Sequence, residues 1–482
     1  MTVTPNPYPA YKDSGVSWLG EVPAHWTSRP GFSQLAEQAV RNAGMLENRV
    51  LSLSYGRIII KPPEKLHGLV PESFETYQIV DPGDIIIRST DLQNDWTSLR
   101  VGIVRDRGII TSAYLCLKAK GELDPEYAFQ LLHAFDIMKV FYGLGSGLRQ
   151  NLSFVDFKRL PLFVPPQEEQ TAIVRYIDYV DRRIRRYIRA KQEQIKLLDE
   201  QRQAIIHQSV TRGLDPNVRL KPSGIEWLGD VPENWEVVRF GRLIRLTTGF
   251  PFKSDGFSQL QGDIRLLRGI NIAPGRVRWD AVVRWPRADL DAFPDFEMKP
   301  GDIVLGMDRP IISGGVRVAA ITELDVPSLL LQRVARIRPF EELNPKFALL
   351  LLSGKSFVDY LAPIFTGISV PHVSPEQIGA FRIAMPSEEE QATIVAWVTD
   401  STAAINTAID RANREIFLLR EYHARMIADL VTGKLDVRET ASGLPDENSQ
   451  EDALLEEMEP IAEYGLEEDD SSLEAELEEV DV

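Results

Sequence analysis

Hydrophobic positions along the chain fall into two kinds of stretch, and each kind occurs twice. In the first kind, apolar residues recur at Ile173, Ile177, Val180, Ile184, Ile188, Ile195, Leu198 and Ile205. Adding 221 to each gives Ile394, Val398, Ser401, Ile405, Ile409, Ile416, Leu419 and Met426, with only Ser401 breaking the stripe. Steps of three, four and seven mark a coiled-coil seam. Neither Pro nor Gly interrupts residues 167–212 or 387–432, so each is expected to be one helix of about 40 residues, some ~60 Å long. Two such helices can bury their seams against each other as a long antiparallel pair; the alternative is a core helix packed on its own domain. Stretches of the second kind are short, β-rich and punctuated by Gly and Pro: Arg57-Ile58-Ile59-Ile60, Asp84-Ile85-Ile86-Ile87 and Asp302-Ile303-Val304-Leu305. They predict compact mixed α/β segments over 27–164 and 236–385, each a common size for one domain.

The duplication is also literal. SGVSWLGEVPAHW at 14–26 and SGIEWLGDVPENW at 223–235 share eight of thirteen positions at an offset of 209. PPQEEQTAIV at 165–174 matches PSEEEQATIV at 386–395 at an offset of 221, which also pairs Val210-Thr211 with Val431-Thr432 and Leu214-Asp215 with Leu435-Asp436. Between these landmarks the halves share little beyond Pro82-Gly83-Asp84-Ile85 and Pro300-Gly301-Asp302-Ile303. The frame is duplicated and the inserts have diverged. The expected order is frame segment (1–26), insert (27–164), long helix (165–212), frame segment (213–235), insert (236–385), long helix (386–432) and acidic tail (439–482), an α+β chain with a pseudo-twofold internal repeat.

Composition narrows the class. With 482 residues, 44% of them hydrophobic, there is room for two to four domains of about 100–200 residues, and disorder throughout is excluded. Cys116 is the sole cysteine, and the opening MTVTPNPYPA has neither a basic nor an apolar leader region, so a cytoplasmic location is expected. The purest apolar run, Phe347 to Leu352, falls far short of the roughly 20 residues of a membrane span, so no membrane partner is expected. A net charge of −17 hides its distribution: 439–482 holds 18 Asp and Glu and no Lys or Arg, leaving 53 of the 71 acidic residues against all 54 basic ones in 1–438. That near-neutral, arginine-rich body leaves a nucleic-acid partner open. High charge and few aromatics predict a disordered tail, either solubilising or competing with DNA by imitating phosphate charge.

WLGEVPAHW and WLGDVPENW before each insert, the Pro-x-x-Glu-Glu-Gln helix starts and two divergent inserts on paired long helices together resemble the specificity (S) subunit of a type I restriction-modification system, over residues 11–436. The resemblance implies that the inserts are target-recognition domains, each reading one half of an asymmetric bipartite double-stranded DNA site, with the helices as a ruler between them. It implies two methyltransferase (modification) subunits and restriction/translocase subunits as partners, with S-adenosylmethionine, ATP and Mg2+ used by those partners and no cofactor or metal bound by this chain. Dimeric readers place half-site centres about 34 Å or ~10 bp apart, or a multiple of that, so a short nonspecific spacer is expected. A second reading, a protein-binding coiled-coil scaffold, would show no dependence on DNA sequence.

Phosphates are gripped by Lys, Arg and backbone amides, and bases are read by Arg on guanine and Asn or Gln on adenine. In the first insert the candidates are residues 88–94, with Arg88, Ser89, Gln93 and Asn94 directly after a strand, and residues 145–153, with Arg149, Gln150 and Asn151 in a glycine-rich loop. Matching regions in the second insert offer Arg309, after Asp308, and His372. Lys253, Arg268, Asn271, Arg276 and Arg278 join them, four of these from LLRGINIAPGRVRW, a stretch similar to one in many target-recognition domains. Solvated loop charge is the bland alternative for each. Arg182, Arg183, Arg185, Arg186, Arg189 and Lys191 crowd the first long helix and could face DNA or an acidic partner surface; the second helix lacks them. The repeated Trp18, Trp26, Trp227 and Trp235 are expected to anchor the frame segments.

No catalytic motif survives inspection. Gly354-Lys355-Ser356 lacks the glycine that opens a phosphate loop, Leu349 standing in its place. Only Phe296 separates Asp295 from Glu297, whereas a nuclease metal site draws its carboxylates from separate strands. The Gly143, Gly145, Gly147 run follows a helix-like stretch rather than a strand. An Asn/Asp-Pro-Pro-aromatic methylation motif is missing, and six dispersed histidines with one cysteine make no metal cluster.

Overall fold

A computed structural model describes residues 5–62, 73–93, 95–96, 98–144, 151–312, 314–365 and 371–445. The chain divides into two compact units, one gathering the described residues up to 192 and from 413, the other those of 193–412.

The first unit is built on an antiparallel sheet of β1 (Leu35–Glu37), β2 (Ile85–Ile87), β3 (Val101–Ile103) and β4 (Leu115–Ala119), in the order β3-β2-β4-β1. Its central strand is unbroken Ile-Ile-Ile because both faces are covered: Ile85 and Ile87 enter the main core, while Ile86 packs with Val80, Ile110 and Cys116. Helix α1 (Pro125–Ile137) starts where the Asp124 carboxylate accepts from the amides of Glu126 and Tyr127, and it lays Tyr127, Leu131 and Phe135 into the core. The long helix α2 (Gln167–Arg212) follows.

The second unit repeats this plan with β5 (Ile244–Thr248), β6 (Ile303–Gly306), β7 (Val318–Ala320) and β8 (Val334–Pro339), in the order β7-β6-β8-β5. Helix α3 (Pro345–Ser353), capped by Asn344, contains the apolar run seen in the sequence and buries Phe347, Ala348, Leu351 and Leu352. The second long helix is α4 (Glu388–Val431), and a short α5 (Arg438–Ser442) follows it.

The duplicated Pro-Gly-Asp-Ile is a tight turn feeding the central strand. Gly83 and Gly301 have φ of 91° and 90°, a conformation glycine adopts without strain, and the amides of Asp84 and Asp302 donate to the carbonyls of Asp81 and Lys299. Each aspartate also accepts from the amide three residues back, at 2.8 Å in both units. The aspartate locks the turn and the isoleucine opens the strand.

α2 has 46 residues and α4 has 44, and just past their ends stand Gly213 and Gly433, whose φ values are 72° and 77°. Within the first unit, Ile173 and Ile177 of α2 share a core with Met426, Ile427 and Leu430 of α4, and Lys191 Nζ lies 2.7 Å from Glu415 Oε2. Within the second, Ile206 and Val210 share a core with Ile394 and Val398, and Arg202 Nη1 donates to Asn406 Oδ1 at 3.3 Å. The helices therefore run antiparallel in each unit, and their first turns are also core elements of the α/β body, so both packing modes weighed from the sequence coexist.

Of the seam positions, Ile184, Ile188, Ile405 and Ile416 are buried, while Ile195, Leu198, Ile409 and Leu419 are half-buried. Near its end α2 buries Ile206 rather than Ile205, and α4 buries Thr402 and Ala412, which the sequence stripe omitted. A straight helix drifts ~20° per heptad against a 3.5 repeat, which carries neighbouring positions into the seam. The acidic tail also starts later than Glu439. Thr440 and Ala441 are buried, and Arg175 Nη2 donates to the carbonyl of Leu444 at 2.9 Å. Only one of the 18 acids lies before residue 446, so this stretch is apolar enough to pack; 446–482 lies outside the described residues. Among the described residues no single helix is long and apolar enough to cross a membrane.

Candidate nucleic-acid interface

The frame motifs hold each sheet against its long helix. Glu169, in the first turn of α2, accepts from Trp26 Nε1 at 2.7 Å and from the Tyr8 hydroxyl at 2.6 Å, with His25 Nε2 at 2.8 Å from its other oxygen. Gln170 Nε2 donates to the carbonyls of Pro165 and Glu122, and its Oε1 accepts from the amide of Asp124 just ahead of α1. In the second unit Trp235 Nε1 donates to Glu390 at 3.0 Å, and Gln391 bridges Pro386, Glu342 and the amide of Asn344 ahead of α3 in the same way. Trp26 and Trp235 are fully buried. Trp18 lies at the surface, edge-on to Phe135 at 5.0 Å, and the half-buried Trp227 donates to the carbonyl of Arg382.

On this scaffold the first unit presents the loop between β2 and β3. Arg88 stands 3.4 Å from Asp95 Oδ2, and Gln93 is exposed, its carbonyl accepting from Trp96 Nε1 at 3.1 Å. The second candidate loop returns here: the amide of Leu152 donates to the carbonyl of Ser89 at 2.8 Å, and Asn151 Oδ1 accepts from the amide of Asp91 at 3.1 Å. Beneath them lies Arg100, fully buried, which the sequence reading missed. Its five N–H groups go to the Tyr142 hydroxyl and the carbonyls of Arg88, Thr90, Asp91 and Asp95, at 2.7–3.3 Å. Trp96, also missed, is 54% exposed and stacks on Tyr142 with ring centroids 4.4 Å apart. Burial pushes the Asp95 carboxyl up, but hydrogen bonds from Ser98 and the nearby Arg100 and Arg88 charges outweigh it and hold it below the usual range.

The second unit presents the loop between β6 and β7 on the same plan. Asp308 Oδ1 faces His372 Nδ1 at 2.5 Å and Arg333 Nη1 at 3.2 Å. Arg309 donates its amide to the carbonyl of Pro371 at 2.7 Å, and the amide of Val373 donates to that of Met307. Below lies the buried Arg317, with Nε donating to the carbonyl of Ile272 at 3.2 Å and Nη1 to that of Asp308 at 3.4 Å.

The structure thus brings Arg88, Gln93 and Asn151 together in one unit and Arg309 and His372 together in the other. Arg276 is exposed at a hairpin whose Gly275 amide donates to the carbonyl of Val318, placing it beside β7. Arg278 lies 4.0 Å from Asp280, Arg268 donates to the carbonyl of Ala281, and Lys253 caps a turn beside a separate aromatic cluster around Phe252. Two candidates are removed as base readers by burial. Ser89 donates to the carbonyl of Ala113, and Asn271 spends both ends of its amide on Ala281 and on Arg268 N. Asn94, Arg149 and Gln150 lie outside the described residues. In the helix cluster, Arg185 pairs with Asp181 at 2.8 Å, Arg183 lies over Tyr179, and Lys191 is held by Glu415. A signal for Arg100 did exist in the sequence: past each Pro-Gly-Asp-Ile, with a one-residue gap, Arg100-Val101 aligns with Arg317-Val318.

Chemically, these loops offer guanidinium, amide, imidazole and indole groups on rigid backbone, suited to phosphates and base edges. Among the described residues no three His, Cys, Asp or Glu side chains converge as metal ligands would.

Fold and loops define a class: duplicated α+β units on paired long helices, each presenting one polar loop. Residues 53–197 match the type I restriction modification DNA specificity domain. The chain is 26% identical over 359 residues to the type I restriction enzyme MjaVIII specificity subunit of Methanocaldococcus jannaschii, covering 74% of this chain and 81% of that one. It is 33% identical over 168 residues to the EcoAI specificity subunit of Escherichia coli, covering 35% of this chain and 28% of that one. A solved chain from work on complex assembly and conformational transition of the type I R-M system has a similar fold, with TM-score 0.53 and 15% identity over 86% of this chain and 99% of that one. In sequence the chain is similar to the specificity subunits of type I restriction-modification systems, and its fold is similar to that of the solved chain.

Proposed function

We propose that this chain supplies sequence recognition to a type I complex and no chemistry of its own. Each unit reads one half of an asymmetric bipartite site in duplex DNA, and α2 and α4, each of which runs through both units, set the spacer and dock two methyltransferase subunits in a cytoplasmic assembly that also carries restriction/translocase subunits. S-adenosylmethionine, ATP and Mg2+ serve those partners. What supports the reading is one observation: the strand, loop and buried arginine recur in both units, while the exposed and half-buried side chains around them differ, with Arg88, Gln93 and Trp96 in one and Arg309, Arg333 and His372 in the other. A common support carrying different side chains is what two different half-sites require.

The test is co-expression with the methyltransferase subunits followed by methylome sequencing. A bipartite, asymmetric methylated motif is expected, and exchanging residues 27–164 for those of another specificity subunit is expected to rewrite one half and leave the other. A stable complex with no methylated motif would favour a protein-binding scaffold instead.

A further inference from the structure

Arg100 and Arg317 are equivalent by hydrogen bonding as well as by sequence. The amide of Arg88 donates to the carbonyl of Arg100 at 2.8 Å, and the amide of Gly306 donates to that of Arg317 at 2.9 Å. Counting two residues on from Arg88 and from Gly306 reaches Thr90 and Asp308, and each buried guanidinium donates from Nη1 to that carbonyl. The next residue is Asp91 in one unit and Arg309 in the other, and both have positive φ, 59° and 42°. Their amides are the ones that donate to Asn151 Oδ1 and to the carbonyl of Pro371. A non-glycine residue in the left-handed region is strained and persists only where its surroundings over-determine it. A guanidinium carries five donors in a fixed fork, whereas an ammonium has three at a single point.

We infer that Arg100 and Arg317 are the positioning residues of the two reading loops, each holding a left-handed turn at Asp91 or Arg309 so that the exposed side chains around it meet the bases in one register. They act through the loop backbone and need touch no DNA. The inference rests on the recognition function proposed above and adds which buried residue sets the specificity of each half.

The test uses the full-length chain with its methyltransferase subunits. Arg100→Met and Arg317→Met, with Arg100→Lys and Arg317→Lys beside them, are scored by methylome sequencing. Each Met variant is expected to relax base preference at least tenfold in one half-site only, the half assigned to its unit by the 27–164 exchange. The Lys variants are expected to follow, since charge alone cannot hold the turn. Where a variant abolishes methylation, the purified complex is titrated with duplexes carrying one intact and one scrambled half-site. Discrimination lost at the variant's own half and kept at the other supports the inference. Equal loss at both halves, an unchanged motif, or full rescue by lysine overturns it. A wild-type complex without a bipartite motif would instead overturn the recognition function itself.

Discussion

At the residue scale, the loop of the first unit is tied to a strained acid. Asp136, at the end of α1, accepts from the Arg100 amide at 2.5 Å through Oδ2, and its Oδ1 is buried without a partner. Burial lifts its carboxyl from 3.8 to about 6, against the Arg100 amide hydrogen bond and the charges of Lys139 and Arg100, with Asp95 adding to the rise. The folded-state value is the higher one, so stabilisation by the protonated form is full below the unfolded value near 3.8 and is lost as pH rises through about 6. Asp136→Asn keeps an acceptor for the Arg100 amide and removes the buried charge. It is expected to raise unfolding free energy at pH 7.5 by up to about 3 kcal/mol, with the gain over wild type vanishing below pH ~4. Paired urea melts across pH 4–8 check this. Asp178 slopes the same way, and His133, its pKa lowered by burial to about 4, slopes oppositely; the difference between variant and wild type cancels both. A constant difference across the range would show that Asp136 carries no buried charge.

At the element scale, the Gln170 and Gln391 bridges are the joints between each long helix and its α/β body. Gln170→Leu leaves the carbonyls of Pro165 and Glu122 and the amide of Asp124 without their side-chain partner. Buried unsatisfied groups cost about 1–3 kcal/mol apiece, so a loss of about 4 kcal/mol is expected, and Gln391→Leu should cost the same in the other unit. Calorimetry on both single variants and the double variant reads it; the two bridges share no partner, so the effects should add within ~0.5 kcal/mol. Strong coupling would mean that the units do not unfold as separate bodies. The Glu-Glu-Gln repeat marks these helix starts plainly in the sequence, because glutamates and a preceding proline are local signals. The glutamine's partners were not legible, since Glu122 and Asp124 lie more than 40 residues away in an insert with no counterpart sequence. Pro-Gly-Asp-Ile was legible as a strand start for the same local reason, its turn closing within four residues. Arg100 and Arg317 were harder to read, because an arginine among loop charges reads as surface; the Arg-Val pair shared past each Pro-Gly-Asp-Ile was the sequence's trace of the burial that the fold gives them.

At the scale of the whole molecule, charge is partitioned more sharply than the sequence boundary implied. Seventeen of the 71 acids lie in 446–482, leaving 54 against 54 basic residues in the chain through Pro445. The cut that isolates the tail therefore belongs after Pro445. A cut after Arg438 would also remove the buried Thr440 and Ala441 and the carbonyl of Leu444 that Arg175 holds, and so would measure packing as well as charge. Truncation after Pro445 is expected to tighten nonspecific duplex binding several-fold at ~50 mM salt, with the gain fading towards ~0.3 M as the Debye length shrinks below ~10 Å. Fluorescence anisotropy on a duplex lacking the methylated motif, repeated along a salt series, separates the possibilities. Tighter binding only at low salt identifies the carboxylates as an electrostatic shield, because repulsion between a tethered polyanion and phosphate is the component that salt removes. Affinity unchanged at every salt concentration leaves the tail a solubilising appendage. Tightening that persists at high salt requires a tail that occupies the interface by contact, and in that case neutralising its glutamates to glutamine would not reproduce the truncation.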